Sequence, residues 1–386
     1  MIAAAPPEVL AVLTAKTART FSYGALGIVL PLHLGALGMD AAGIGLAVTV
    51  MLVGSALLTG LVRRPAERFG ARATLTALAG LSALAAVLLL AARAPWLVVL
   101  AATLGNVAVG TGETGPFLTL EQVVVARAVP AARRTGVLGL YNLVGYAAAA
   151  GGAAAVALVP TWSVLFALFL AAAGVQALAY LRLPATRPAA AAPVDPAAGS
   201  RAVIRRLAAL FALDAFAGGF VLQSLVAYFL HARFGADAAT LGIAFAGAQV
   251  LTAASLLMAA PLAARFGLLP TMVFSHLASN LLLVAIAAAP TVAVAVGLLW
   301  ARHLLSQIDV PTRQAYVMAV VDDREREAAA GATTMARTVA QAVSPALTGW
   351  IMQAVALSAP FVLGGGLKIV YDLLLWWTFR RVPLRD

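Results

Sequence analysis

Several acidic side chains of this sequence stand inside long apolar stretches, where a charge is costly. Glu113 lies in NVAVGTGETGPF, Asp214 in ALFALDAFAGGF and Asp309 in LLSQIDVPTRQAY. A carboxylate in an apolar medium either takes up a proton or needs a cation beside it. The three residues are therefore candidates for proton uptake and release.

Basic side chains occur in the same stretches and offer partners for these acids. Arg19 is predicted at a depth similar to that of Glu113, and the two charges would offset much of each other's desolvation. Together they form either a site for a solute or a proton, or a static brace between two helices.

A second group of charges is predicted toward the other end of the chain. Arg313 follows Asp309 by four residues, on the same helix face, so it can pair with Asp309 or with Asp214. With Arg337 these residues form either a network that exchanges partners during function or a permanently closed one. Because Pro311 weakens the helix between Asp309 and Arg313, we favour the exchanging network.

The remaining polar residues in apolar surroundings receive separate interpretations. Arg302 has no obvious partner and is a candidate to bind an anionic ligand group, and His303 is either a proton relay or a hydrogen-bonded structural imidazole. Lys368 and Asp372, four residues apart, are interpreted as an internal structural pair. Eight further side chains are interpreted mainly as contacts between helices, with Asn106 and Gln223 as cavity candidates: Asn106, Tyr141, Asn142, Gln223, Gln249, His276, Asn280 and Gln341.

Composition places most of the chain in lipid. Of its 386 residues, 63% are hydrophobic and 11% are charged, whereas soluble domains have about 45–50% and about 25%. The sequence has no cysteine, no histidine pair with metal-ligand spacing and no phosphate-binding glycine loop, so neither a metal nor a cofactor is predicted. The net charge of +11 comes from arginines that alternate with apolar spans, which does not favour nucleic-acid binding.

The apolar stretches predict an all-α membrane protein with twelve transmembrane helices. A span needs about 20 mainly apolar residues. The predicted spans are 9–37, 41–62, 73–92, 96–118, 134–158, 162–181, 207–232, 239–260, 270–289, 291–312, 328–356 and 360–379. With both termini in the cytoplasm, 18 of the 26 basic residues fall in cytoplasmic segments and only Arg93 and Arg233 in outer loops, as the positive-inside rule requires.

The two halves of the sequence repeat each other. Residues 40–70 align without a gap on residues 237–267, and both segments end in Arg-Phe-Gly. Between the halves, a segment rich in proline and alanine predicts a flexible cytoplasmic linker. The predicted division is an N-terminal six-helix bundle over 1–182, the linker over 183–204 and a C-terminal six-helix bundle over 205–386.

This arrangement resembles the major facilitator superfamily of secondary transporters. The family's loop signature falls on RRPAERFGAR, and its second copy on MAAPLAARFGLL. The resemblance implies that spans 1, 4, 7 and 10 line a central cavity and that the loops act as a cytoplasmic gate. The gate residues carried over by position are Glu67, Arg68, Gly70, Arg72, Arg265 and Gly267. The Gly-Pro pair typical of proton antiporters in span 5 is absent, since Ala147 and Ala148 stand in its place.

The predicted function is secondary active transport of a small solute by alternating access, coupled to protons and favouring export, in the bacterial cytoplasmic membrane. The chain is predicted to act as a monomer, with the lipid bilayer, a small solute and protons as partners and without enzymatic activity. Two alternatives stay open: a uniporter whose charge clusters are structural, and a membrane scaffold or receptor that transports nothing.

Overall fold

The computed structural model describes residues 6–108, 110, 115–159, 161–185, 198–321 and 326–382. Within these residues the regular structure is helical throughout. Fifteen helices follow one another in this described part: α1 (Pro7–Ala36), α2 (Ala41–Leu61), α3 (Arg63–Ala91), α4 (Pro95–Leu104), α5 (Pro116–Ala128), α6 (Ala131–Leu158), α7 (Trp162–Leu181), α8 (Ala198–Gly219), α9 (Gln223–Phe234), α10 (Ala238–Phe266), α11 (Leu268–Ile286), α12 (Val292–Ser306), α13 (Asp309–Val320), α14 (Arg326–Ala354) and α15 (Ala359–Phe379).

Eight helical stretches in the described residues are long and apolar enough to cross a membrane. They are Ala41–Leu61, Arg63–Ala91, Gly136–Leu158, Trp162–Leu181, Arg201–Phe234, Ala238–Phe266, Leu268–Ile286 and Ala359–Phe379. Many of their large apolar side chains face outward, such as Leu57, Leu178 and Leu257, each more than 60% exposed. In a soluble protein such a surface would be an aggregation hazard, whereas lipid covers it at no cost.

Three of the predicted spans correspond to pairs of helices separated by a break. The fourth is divided into α4 and α5, the seventh into α8 and α9, and the tenth into α12 and α13. Pro116 begins α5 after Gly115, whose φ of 111° suits glycine, and Pro311 lies in the first turn of α13. The α8 helix begins at Ala198, inside the predicted linker, and residues 186–197 of that linker lie outside the described residues.

The internal repeat reappears in the backbone. Gly70 and Gly267, 197 positions apart, have φ angles of 84° and 88°. Gly70 forms a kink within α3, and Gly267 separates α10 from α11. At both positions a glycine is required because L side chains rarely adopt this conformation. The α10 helix begins after a capping residue, Asp237, whose Oδ1 accepts a hydrogen bond from the Thr240 amide at 2.8 Å. Hydrogen bonds from Thr240 hold the pKa of Asp237 below its ordinary value.

The chain forms two compact units. The first comprises Met1–Asp40, Val50–Ala190 and Ala236–Gln249, and the second comprises Ala41–Thr49, Ala191–Gly235 and Val250–Asp386. The first turns of α2 therefore pack with α14, where Thr49 Oγ1 accepts from the Ala346 amide at 2.9 Å. Similarly, α10 at Gly242 packs against the Ala153 carbonyl of α6, within the first unit.

Corresponding helix crossings in the two units pack closely at a glycine. In the first unit α1 packs on α6, and a Cβ on Gly24 would overlap the Ala149 carbonyl. In the second unit α8 packs on α14, and a Cβ on Gly219 would overlap Ser344. Both residues of the second crossing lie 195 positions after those of the first. Small residues allow such close approach of helix backbones in a membrane, and here they place the charged residues of α1 and α8 at corresponding levels.

Candidate functional site

A fully buried ion pair lies in the first unit. Arg19 of α1 and Glu121 of α5 are both 0% exposed, and their guanidinium and carboxylate form two hydrogen bonds of 2.6 and 3.0 Å. Two tyrosines complete the cluster: Tyr141 of α6 donates to Glu121 at 2.6 Å, and Tyr180 of α7 donates to it at 2.6 Å. Four helices are therefore joined by one bidentate pair and two phenols, the geometry that gives a buried ion pair its best energy.

Apolar and aromatic groups enclose this first-unit cluster, which comprises Arg19, Glu121, Tyr141 and Tyr180. The Phe117 ring lies 4.4 Å from the Arg19 guanidinium and stacks on Tyr180 with 6.3 Å between ring centroids. The Lys16 ammonium lies 4.2 Å from the centre of the Tyr141 ring. These cation–π contacts stabilise the cations where water is absent.

Among the described residues, the carboxylate bonded to Arg19 is Glu121, which the sequence analysis did not name. Glu113, the predicted partner of Arg19, lies outside the described residues, so its pairing with Arg19 stays a prediction. Sequence reasoning missed Glu121 because the fourth span was predicted to end at 118. The available signal was that FLTLEQVVVA after Pro116 is mainly apolar, with only Thr119, Glu121 and Gln122 as polar residues.

The second unit contains a larger charge cluster centred on Asp214 of α8. This carboxylate receives hydrogen bonds from three cations: Lys368 Nζ at 2.5 Å, Arg337 at 2.9 Å and Arg313 at 3.3 Å. Arg313 also bonds to Asp309 at 2.7 Å, one helical turn away on α13. The side chains of Asp214, Asp309 and Arg313 are 10% exposed or less, so these contacts offset charges that water does not reach.

A histidine extends the cluster toward α15. His276 of α11 places Nδ1 2.7 Å from Asp372 Oδ1 and Nε2 3.6 Å from Asp214 Oδ1. Asn280, one turn along α11, donates to Asp372 Oδ2 at 2.9 Å. The second-unit cluster thus comprises Asp214, His276, Asn280, Asp309, Arg313, Arg337, Lys368 and Asp372.

The predicted internal pair of Lys368 and Asp372 is wrong in this structure. Lys368 bonds to Asp214 of α8, while Asp372 bonds to His276 and Asn280 of α11. The two side chains are near enough along α15 to pair, but each finds a stronger partner on a neighbouring helix. His276 and Asn280 were interpreted as single contacts; their spacing of four residues, which places both on one helix face, was the available signal.

Arg302 and His303 lie on α12, just before its break from α13. The Nε of Arg302 is buried without a hydrogen-bond partner among the described residues, although Asp214 and Asp309 attract its charge. His303 is buried and donates through Nδ1 to the Leu299 carbonyl of its own helix at 2.8 Å. Together with the second-unit cluster, Arg302 gives four permanent cations (Arg302, Arg313, Arg337 and Lys368) against three carboxylates.

Of the three polar cavity candidates, Asn106, Gln223 and His303, the first two lie at breaks between helices. Asn106 follows α4 with a φ of 49° and is buried. Its Oδ1 has no hydrogen-bond partner within the described residues. Gln223 is the first residue of α9 and is also buried. Polar groups at such breaks are typical of transporter helices, where unwound backbone borders a cavity.

Comparison with known proteins assigns the family. The model of the Major Facilitator Superfamily matches residues 12–232 and 207–386. The chain belongs to the Major Facilitator Superfamily. As a superfamily member it is a membrane transporter and not an enzyme, as the sequence predicted.

Relatives of known structure share the superfamily fold along nearly the whole chain. A variant of the nucleoside transporter NupG has a TM-score of 0.77 at 14% identity, covering 97% of this chain and 100% of NupG. A D-xylose–proton symporter has a TM-score of 0.72 at 15% identity, covering 95% and 97%. The uncharacterized membrane protein YJR124C of Saccharomyces cerevisiae is 21% identical over 415 residues, 95% of this chain and 93% of its own length.

The superfamily loop keeps its charges exposed. Glu67 Oε1 accepts from Arg63 Nε at 3.0 Å, with 44% and 76% of the side chains exposed. In each copy an arginine stacks on the following phenylalanine, at 5.1 Å for Arg68 and 5.2 Å for Arg265. The glycine that follows, Gly70 or Gly267, then turns the chain into the next helix. Arg72 lies in the first turn after Gly70.

Proposed function

We propose that this chain is a proton-coupled secondary transporter that moves a small solute across a bacterial cytoplasmic membrane by alternating access. Its twelve spans would comprise the eight apolar stretches together with α1, α4–α5, α12–α13 and α14. Both termini would lie in the cytoplasm, and export is the favoured direction. Superfamily membership supports transport, and one observation supports coupling: a buried network that contains more charged groups than bracing requires.

The second-unit cluster is costly as a purely structural device. Buried ion pairs contribute little net stability, because desolvation of both charges offsets most of their attraction. A packed apolar interface would hold α8, α11, α13, α14 and α15 together at least as well. Ionisable groups inside a membrane protein are by default functional candidates. Asp214 on α8 and the Asp309–Arg313 pair on α13 lie on spans 7 and 10, where the superfamily resemblance places the cavity.

The solute we infer carries an anionic group, and Arg302 is its anchor. Four permanent cations face three carboxylates in and beside the second-unit cluster, so one positive charge has no fixed counterion among the described residues. The buried Nε of Arg302 is the donor without a partner. A carboxylate or phosphate oxygen of a solute would satisfy it in the bidentate geometry that arginine favours.

Counterflow in proteoliposomes tests the transport proposal. Vesicles loaded with one of a panel of unlabelled anionic or neutral solutes are diluted into a trace of the same solute carrying a radiolabel. A transient accumulation above that of protein-free vesicles identifies a transported solute. If no solute in the panel exchanges while the protein remains folded, the scaffold alternative gains support.

Two controls separate the parts of the proposal. Arg302→Gln should remove exchange of the anionic solute, whereas Arg233→Gln, at the end of α9 and away from the cluster, should leave it intact. Solute addition to vesicles containing a pH dye should move protons. Exchange without proton movement would favour the uniporter, whose charge clusters are structural.

A further inference from the structure

His276 lies between two carboxylates from different helices. Its Nδ1 is 2.7 Å from Asp372 of α15, and its Nε2 is 3.6 Å from Asp214 of α8. The side chain is 7% exposed, so water does not compete strongly for either nitrogen. A neutral imidazole has one N–H, which the bond to Asp372 occupies, whereas an imidazolium also directs a positively charged N–H at Asp214, at ion-pair rather than hydrogen-bond distance. The site is therefore complementary to the protonated form of the ring.

The short contact with Asp372 holds one proton in either state of the histidine. At 2.7 Å, Nδ1 and Oδ1 share one hydrogen-bonded proton. The net charge of the pair is the same whether that proton is assigned to the ring or to the carboxyl group. The second proton is the one that can leave, from Nε2 on the side of Asp214. Its loss leaves a neutral ring, and Asp372 keeps one negative charge without a cation.

The other two carboxylates of the cluster are poorly suited to carry the proton. Asp214 is bonded to three permanent cations, and Asp309 is bonded to Arg313. Protonating either one would leave unpaired cations in a dry interior, which is strongly unfavourable. Asp372, by contrast, contacts only His276 and Asn280 among the described ionisable and amide side chains. Among the described residues, the cationic partner of Asp372 is a histidine, whose ring can be neutral or charged.

Lys368 provides the missing compensation. It lies one turn before Asp372 on the same face of α15, a spacing at which lysine and aspartate pair directly. In the present structure its ammonium bonds to Asp214 instead. Asp214 would keep two cations, Arg313 and Arg337, if Lys368 moved away. Asp372 would gain the cation it needs once the histidine is neutral.

We propose that the His276–Asp372 pair is the proton-binding site of this transporter and that Lys368 moves from Asp214 to Asp372 when the proton leaves Nε2 of His276. The inference rests on the proposed proton coupling and assigns it to residues. One proton passes from Nε2 of the imidazolium to water or to the next proton acceptor. Only this N–H bond breaks, and the net charge of the His276–Asp372 pair falls by one. The exchange removes the Lys368–Asp214 bond between α15 and α8. Through this contact, loss of the proton would affect the packing of the rest of the second unit.

All charged groups that face His276 are included in this balance. Its helix α11 packs on α12, α13 and α15, and its Nε2 side faces α8. The Tyr371 ring lies edge-on to the imidazole, with 5.8 Å between ring centroids. On these elements and on α14, the charged and titratable groups in or beside the second-unit cluster are Asp214, Arg302, His303, Asp309, Arg313, Arg337, Lys368, Tyr371 and Asp372.

The sequence makes a direct test possible because it has only four histidines and two lysines. The full chain is labelled with ¹⁵N-histidine or with ¹⁵Nζ-lysine, placed in nanodiscs without any solute, and titrated from pH 5 to pH 9. The His276→Asn variant identifies the His276 signals, and Lys16→Arg identifies the signal of Lys368. Because no solute is needed, failure of this test is distinct from failure of the transport proposal.

The wild-type titration decides the proposal without depending on the stability of a variant. We expect both ring nitrogens of His276 to be protonated at the acidic end, Nε2 to lose its proton at the basic end, and the Lys368 signal to move over the same interval. In Asp372→Asn the Lys368 signal should stay constant across the range. A His276 ring whose protonation is unchanged between pH 5 and pH 9 would overturn the site. A Lys368 signal that stays fixed while His276 titrates would overturn the exchange.

Discussion

At the scale of single residues, the two units use buried charge in opposite ways. In the first unit, every charged group in the cluster has a partner that satisfies it: Glu121 accepts from Arg19, Tyr141 and Tyr180. In the second unit, Arg313 bonds to two carboxylates and Asp214 bonds to three cations, so these charges have more than one partner within reach. A satisfied pair braces helices, whereas a shared one can rearrange.

If the first-unit cluster braces its helices, removing the charge of buried Glu121 should lower the stability of the protein far more than removing the charge of exposed Glu67. Glu121→Gln removes the negative charge that accepts two hydrogen bonds from the fully buried Arg19, which we expect to cost about 3–5 kcal/mol. The matched variant Glu67→Gln breaks an exposed pair with Arg63 and should cost less than about 1 kcal/mol. Thermal unfolding of both variants in detergent, followed by tryptophan fluorescence, measures the difference. Equal melting temperatures would show that the first-unit cluster does not brace its helices.

The shared pairing predicts a partial rescue between Asp309 and Arg313. Asp309→Asn leaves Arg313 bonded to Asp214 alone, and Arg313→Gln leaves Asp309 buried without a cation, so each single variant should lose stability. The double variant removes both charges and leaves Asp214 with Lys368 and Arg337, so its loss should be smaller than the sum of the singles. Solute exchange of a stable double variant then distinguishes a working network from a structural one. Turnover near that of the wild type would make Asp309 part of the scaffold.

At the scale of helices, much of the fold could be predicted from apolar length and from proline and glycine. The predicted span 162–181 coincides with α7, and 41–62 exceeds α2 by one residue, because lipid-facing helices are apolar around most of their circumference. The partners of the charges could not be predicted. Lys368 points to Asp214 and Arg19 to Glu121 because helix rotation and depth are set by packing at crossings such as Gly24 on Ala149. Long-range packing of this kind leaves no local pattern in the sequence.

That crossing can be tested by adding one methyl group. Gly24→Ala places a Cβ against the Ala149 carbonyl, a backbone atom that cannot rotate away, so α1 and α6 must separate. We expect a loss of about 1–3 kcal/mol from overpacking. Gly139→Ala, in α6 but in open space, should be neutral or stabilise by up to about 1 kcal/mol through helix propensity. If the two variants unfold at the same temperature, the close approach of α1 and α6 is wrong.

At the scale of the whole molecule, arginine placement predicts the orientation in the membrane. Eighteen of the 26 basic residues fall in segments that the twelve-span topology places on one side, with only Arg93 and Arg233 on the other. Positively charged segments are retained in the cytoplasm during insertion. The loop before α4 is therefore expected outside the cell, and the end of α7 inside.

The absence of cysteine from the sequence allows this orientation to be measured with single introduced thiols. Ala94, at the start of α4, and Ala185, after α7, are both exposed, so substitution by cysteine disturbs little packing. In right-side-out vesicles a membrane-impermeant maleimide should label Ala94→Cys at once and Ala185→Cys only after the membrane is permeabilised. The reverse pattern would invert the topology, and with it the direction in which a proton leaving His276 must travel. If both sites were labelled from outside, they would lie on the same side of the membrane. The predicted arrangement of α4 to α7, which places an odd number of spans between them, would then be wrong.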